Sequence, residues 1–156
     1  NLGQHTCWQK LSLFEDSVRV PLIIAAPGIA KAGSTCFRVV EHIDLYPTLA
    51  EICGLDAPPY LHGDSFAELL RDPDAEAFKD KAAYTITRDG GESLRTARWR
   101  YNLWKDGKDG AELYDHENDP EEFTNLADNP TFADIRNQLD ARLKTARAIA
   151  SRVDRN

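Results

Sequence analysis

The sequence predicts an α/β chain in two parts, and three observations carry that reading. Residues 17–28 contain a near-continuous run of branched apolar side chains through Val18, Val20, Leu22, Ile23 and Ile24, the pattern of a strand buried on both faces inside a parallel sheet. From residue 83 the pattern changes to period two over 83–87, 92–96, 99–104 and 112–115, broken at Asp89-Gly90-Gly91 and at residues 106–110, which reads as an antiparallel meander. Finally Phe132, Ile135, Leu139, Leu143, Ala146, Ile149 and Val153 recur every three or four residues, the stripe of a long helix able to cover one face of that meander. We expect residues 1–75 to belong to an α/β domain that is incomplete here, because one parallel strand needs neighbours on both edges. Residues 76–156 are expected to form a C-terminal subdomain of meander plus helix.

In chain order, residues 2–10 read as a polar loop that delivers His5, Trp8 and Lys10 to a point near the buried strand, where loops commonly carry binding and catalytic groups. Past Gly28 a loop with Lys31, Gly33 and Ser34 leads to Phe37-Arg38-Val39-Val40. Asp44 reads as a helix N-cap rather than a metal ligand, with Pro47 in the first turn, Gly54 closing the helix, and Leu45, Leu49, Ile52 and Cys53 on its buried face. Pro58-Pro59 makes the next stretch a loop, and His62 within it reads as a surface residue. Ser65 and Glu68 have the spacing of a capping box for a short helix through Phe66, Leu69 and Leu70 that stops before Pro73. The acidic run 72–81 marks the boundary. Beyond it, Trp99, Tyr101 and Leu103 share one strand face while Arg100, Asn102 and Trp104 share the other, and one of the two should pack on a helix. Asn129 caps the last helix and Pro130 takes its first position.

Composition narrows the classes of function. The net charge of −7 arises from 26 acidic and 19 basic residues, and the basic ones are scattered, which argues against a nucleic-acid footprint and against adhesion to anionic lipid. No apolar run approaches the roughly 20 residues that span a bilayer. Cys7, Cys36 and Cys53 lack metal-ligand spacing and read as free thiols, with one bridge as the alternative.

Leu2, Gly3, Gln4, His5, Trp8 and Lys10, then Phe14, Glu15, Ser17, Arg19, Val20 and Pro21, closely resemble the segment that in sulfatases follows an Asp-His-Gly metal-binding turn. The likeness continues through Ile43-Asp44-Leu45-Tyr46-Pro47-Thr48-Leu49, and through Glu112-Leu113-Tyr114-Asp115 with Asp119, Pro120, Glu122, Asn125 and Leu126. Residues 93–101 are most similar to the iduronate-2-sulfatase branch, from which Arg98 departs. Four ordered matches across most of the chain are far more specific than any one.

The resemblance implies the C-terminal portion of an alkaline-phosphatase-like fold, one or more strands of the large sheet plus a small antiparallel sheet packed by a C-terminal helix, with residues 1–75 the incomplete C-terminal end of its catalytic α/β domain and 76–156 its C-terminal subdomain. It implies hydrolysis of a sulfate ester, of a sulfated sugar or similar small organic sulfate, by a formylglycine nucleophile beside calcium. Both would come from the upstream part of the same polypeptide, so no metal ligand is assigned in this chain, which alone should be inactive. Lys10 aligns with the lysine that contacts the sulfate and is the catalytic candidate; a compact ammonium with three donors suits both sulfuryl oxygens and a departing alkoxide. His5 and Trp8 are the substrate-binding candidates, His5 alternatively as a buttress of the metal turn and Trp8 as a pocket wall. Arg95, Arg98 and Arg100 could fork onto an anionic sugar or be paired internally. The location is left open, periplasmic or secreted being favoured over cytoplasmic. Two alternatives are a phosphodiester or phosphonate monoester hydrolase of the same superfamily and a non-catalytic binding module.

Overall fold

The computed structural model describes residues 2–8 and 11–151. After a 3₁₀ turn at Gln4–Thr6 come α1 (Glu15–Val18), a 3₁₀ turn at His42–Asp44 that runs into α2 (Leu45–Ile52), and α3 (Ala67–Arg71). Then follow β1 (Ala83–Ile86), β2 (Gly91–Arg95), β3 (Trp99–Trp104), β4 (Ala111–Asp115) and, after a 3₁₀ turn at Pro130–Phe132, the long helix α4 (Ala133–Ala150). The fold is the mixed α/β arrangement read from the sequence, with its small antiparallel sheet and C-terminal helix.

The four strands pair in chain order, every pair antiparallel. Register explains why the sheet has two unlike faces. Leu94 lies opposite Tyr101, and Tyr101 opposite Leu113, so an apolar row crosses the sheet on one side. Leu103 and Ala127 extend this core, and α4 closes it with Leu139 and Leu143. Asn129 accepts from the Thr131 N–H at 3.0 Å and Pro130 follows it, so the cap and the proline act as expected. The opposite face carries Ser93, Arg100 and Asn102, all fully buried although polar. What covers them is the beginning of the chain: Leu13 is buried, the Phe14 ring lies 6.1 Å from that of Tyr114, and Glu15 pairs with Arg95 and Arg100.

A second, smaller core gathers Phe66, Leu69 and Ala75, with Ile24, Val40, Leu45, Leu70, Ala77 and Phe78 around it. Asp44 is completely buried beside it and serves a different purpose from the one expected. It does not cap α2 with its side chain. One carboxylate oxygen accepts from the Glu41 N–H at 2.8 Å, closing a capping box on the preceding 3₁₀ turn, and the other accepts from the Asp64 N–H at 2.8 Å and from Lys81 at 3.2 Å. Gly63 permits that approach, since a Cβ there would collide with the Ile43 carbonyl.

Several local expectations are corrected. Residues 19–27 form no strand in this chain; Val20, Leu22 and Ile23 are exposed, Ile23 at 92%, because a strand of parallel type needs partners that no other described segment supplies. The buried face of α2 is Pro47, Thr48 and Ala50; Leu49 and Cys53 point outward, and Leu45 and Ile52 are half-buried. Ser65 and Glu68 form no capping box: the Ser65 hydroxyl accepts from Ala67 N–H at 3.2 Å while Glu68 is exposed. Cys7, Cys36 and Cys53 are free thiols.

Candidate functional site: a histidine loop pinned over the polar face of the sheet

The loop of residues 3–8 is a tight, strained turn. Gly3, His5 and Thr6 all have positive φ, at 117°, 51° and 58°, and a β-branched threonine in that region is uncommon. Three backbone bonds hold the turn: Gly3 N–H to Cys7 O at 3.0 Å, Thr6 N–H to Gly3 O at 3.1 Å, and Cys7 N–H to Gln4 O at 2.9 Å. The His5 ring stacks on Phe14 at 3.8 Å with the planes 5° apart, and Phe123 approaches from 5.3 Å. Trp8 is 75% exposed, its indole 3.6 Å from where a Cβ on Gly3 would stand. His5 is thus held by packing while Trp8 presents its ring outward. Lys10 lies outside the described residues.

Beneath this loop is a network that sequence reasoning missed. The Glu15 carboxylate receives Arg95 Nε at 3.1 Å and also Arg100 Nη2. Glu122 receives Arg100 Nε, and its second oxygen accepts from the Glu15 backbone N–H at 2.8 Å. His116 completes the ring, with Nε2 at 2.7 Å from Glu122 and Nδ1 at 2.9 Å from Arg95 Nη2. A guanidinium can only donate, so Nδ1 accepts and Nε2 carries the proton towards Glu122. Ser93 accepts from Arg100 Nη1 at 3.0 Å.

Two carboxylates face two guanidinium groups here, so the buried charges balance. Burial works to raise the pKa of Glu122, but the His116 hydrogen bond and the charge of Arg100 outweigh it and leave it below the ordinary carboxylate value. Glu15 is lowered likewise, its burial outweighed by the Arg95 hydrogen bond and the charges of Arg95 and Arg100. Glu15, His116 and Glu122 bring ligand-type atoms within 4.8 Å of one another. They do not suit a metal ion, because the guanidinium groups already supply the positive charge such an ion would bring.

The arginines weighed as sugar contacts are therefore paired internally. Arg95 and Arg100 belong to the network, and Arg98 grips Asp115 with two bonds of 2.8 and 2.7 Å while lying over the Trp99 ring at 4.7 Å. Glu15 and Glu122 both stand in the motifs read from the sequence, but nothing there shows that residues 107 positions apart share a hydrogen bond.

The small antiparallel sheet thus carries a helix on one face and the strained histidine loop on the other. The profile described as "N-sulphoglucosamine sulphohydrolase, C-terminal" matches residues 3–149, and the chain belongs to that family. It is 35% identical over 153 residues to arylsulfatase K of Mus musculus, covering 91% of this chain and 27% of that protein. It is 33% identical over 137 residues to choline-sulfatase of Rhizobium meliloti (strain 1021), covering 83% and 25% respectively. Among solved structures, BT4656 in complex with its substrate D-glucosamine-2-N,6-O-disulfate superposes with a TM-score of 0.87 at 25% identity, over 96% of this chain and 32% of that one. The phosphonate monoester hydrolase SpPMH of Silicibacter pomeroyi shares the fold at a TM-score of 0.80 and 24% identity, over 94% and 32%. The chain thus spans about a quarter of the length of the curated relatives it matches.

Proposed function

We propose that this chain is the C-terminal portion of a sulfatase that hydrolyses the sulfate ester of a sulfated sugar or similar small molecule. The observation that carries the reading is the family match over 3–149, which includes the His5 loop. Sequence likeness to sulfatases reaches 35%, whereas the phosphonate hydrolase shares the fold at lower identity, so sulfate is preferred over phosphonate. The likeness to the iduronate-2-sulfatase branch rests on residues 93–101 alone. A non-catalytic binding module is less favoured, because the chain keeps the loop on which the family's chemistry depends.

In this reading the nucleophile, a formylglycine, and the calcium ion are held by residues preceding this chain; the carboxylate–histidine cluster described above does not fit the ion. His5 and Trp8 border the substrate, His5 fixed by its stack on Phe14 and Trp8 as an aromatic wall. Lys10 places its ammonium at the bridging oxygen as the sulfur–oxygen bond breaks, where new negative charge develops and a fixed donor gains most. A periplasmic or secreted location belongs to the same proposal and rests on the resemblance.

Steady-state kinetics of Lys10→Ala in the longer enzyme test the reading. Removing one preorganised donor is expected to lower kcat by roughly a hundred- to thousandfold with a much smaller change in KM. The loss should shrink for a nitrophenyl sulfate, whose leaving group needs less help. A rise in KM alone, equal for alkyl and aryl sulfates, would show that Lys10 only binds substrate.

A further inference from the structure

Residues 115–123 reach the candidate site from the far end of the chain. Asp119 folds this segment back on itself: its two carboxylate oxygens accept from the N–H groups of Phe123 at 3.1 Å and Thr124 at 2.7 Å. The turn forces Glu122 to a φ of 60°, uncommon for a residue with a side chain, and in that conformation the carboxylate points inward with 2% of the residue exposed. Its next neighbour, Phe123, is 70% exposed yet lies 5.3 Å from the His5 ring. One short turn therefore grips the loop twice: through Glu122 on the Glu15 N–H, next to the Phe14 that stacks on His5, and through Phe123 on His5 itself.

We infer that the turn carrying Glu122 and Phe123 is a clamp that sets the position of His5, with Arg100 and His116 holding Glu122 in place. Glu122 and Phe123 are positioning residues, acting on substrate only through His5. The physical need for such a clamp is visible in the loop, since His5 and Thr6 are held at positive φ, a conformation disfavoured for residues with a side chain. Strain of this kind persists only where surrounding contacts over-determine it. The role of the clamp in catalysis rests on the sulfatase reading; the clamp itself does not.

The test separates the two. With the chain labelled at its four histidines, the ring carbons and protons of His5 should show the shielding expected from stacking on Phe14. Glu122→Gln keeps the side-chain volume but removes the charge, and Phe123→Ala removes an exposed ring, so the second variant remains informative if the first does not fold. Both are expected to shift the His5 signals towards those of a free histidine while leaving His42 and His62 in place. Arg147→Ala, which breaks an ion pair with Glu92 on the helix side of the sheet, is expected to leave His5 unmoved. Unchanged His5 signals in a folded Phe123→Ala variant would overturn the clamp, as would an equal shift in Arg147→Ala. In the longer enzyme, Phe123→Ala should lower kcat by about tenfold to a hundredfold with KM little changed, the signature of a misplaced group. Full kcat with the His5 signals shifted would overturn the positioning role. An inactive parent enzyme would sink the sulfatase reading and leave the clamp to be decided by the histidine spectra.

Discussion

The first sixty residues are richer in apolar side chains than the stretch from β1 to α4, and the two regions dispose of them in opposite ways. Among the described residues fifteen large apolar side chains are exposed, and twelve of them lie at or before Tyr60, including Val20, Leu22, Ile23, Phe37, Tyr46 and Leu49. From Leu94 to Leu143 the corresponding side chains meet one another across the sheet and under α4. The later region completes a core by itself. The earlier one is anchored by Ile24, Leu13 and Phe14 and otherwise presents an apolar surface of the kind that marks contact with something else. As part of the proposal above, that cover is the preceding part of the same polypeptide, in keeping with the 27% of mouse arylsulfatase K that this chain spans. A division near residue 75 stays part of the same proposal.

The sharpest way to break this comparison is at the joint between the two regions. Arg100→Met would leave Glu15 and Glu122 buried without their shared counter-charge, which should cost about 3–5 kcal/mol in urea unfolding. A loss below about 1 kcal/mol would mean that the two regions are held together by something other than this network.

Next in size is a paired truncation. Leu143 is fully buried under the sheet, and Leu143→Ala should destabilise by about 2–5 kcal/mol, whereas Ile23→Ala at a 92% exposed site should fall within about 0.5 kcal/mol. Equal losses would show that Ile23 is buried in solution and that the contrast between the regions is false.

A smaller effect is expected from pH. Glu15, Glu122 and Asp115 all have lowered pKa values in the folded chain; for Asp115 the Arg98 hydrogen bond is the largest cause. Below the unfolded carboxylate value, about 4.3 for glutamate and 3.9 for aspartate, the unfolded state binds more protons than the native one. Stability contributed by these groups is therefore present above that range and declines as pH falls through their folded values. Glu41 acts in the opposite sense: burial raises its pKa, so its contribution is full at low pH and is lost as pH rises through its folded value. Urea midpoints measured from pH 6 down to pH 3 should fall, and Glu122→Gln should flatten that fall. An unchanged slope in the variant would place the sensitivity in other groups.

Much of this was legible in the order of residues, for a local reason. The meander is visible because side chains alternate faces along a strand and tight turns require Gly and Asp; each observed strand lies within one residue of the predicted ends. The Asn129 cap and the α4 stripe are signals of three- and four-residue spacing, and such spacing survives in any tertiary setting. The motif around His5 and Trp8 was also readable, through its resemblance to sulfatases.

Other features depended on contacts that spacing cannot encode. Val20 to Ile24 has the composition of a buried strand, but a strand exists only where another backbone accepts its hydrogen bonds, and none of the described segments does so. Asp44 has the sequence position of an N-cap, yet its carboxylate was claimed by Glu41, Asp64 and Lys81, because a buried anion takes the donors that packing brings to it. The polar face of the sheet shows the same dependence. Arg100 alternates with Trp99 and Tyr101 as any solvent-facing residue would, and only the return of Glu15 and Glu122 from opposite ends of the chain turned that face into a buried network beneath His5. The sequence by itself determined which segments would be strand, turn and helix after residue 82 and which family the loop belongs to, since those signals lie within a few neighbouring residues. Which charges meet, and how His5 is held, was decided by the tertiary structure, because electrostatic pairing and ring stacking act through space between residues far apart in the chain.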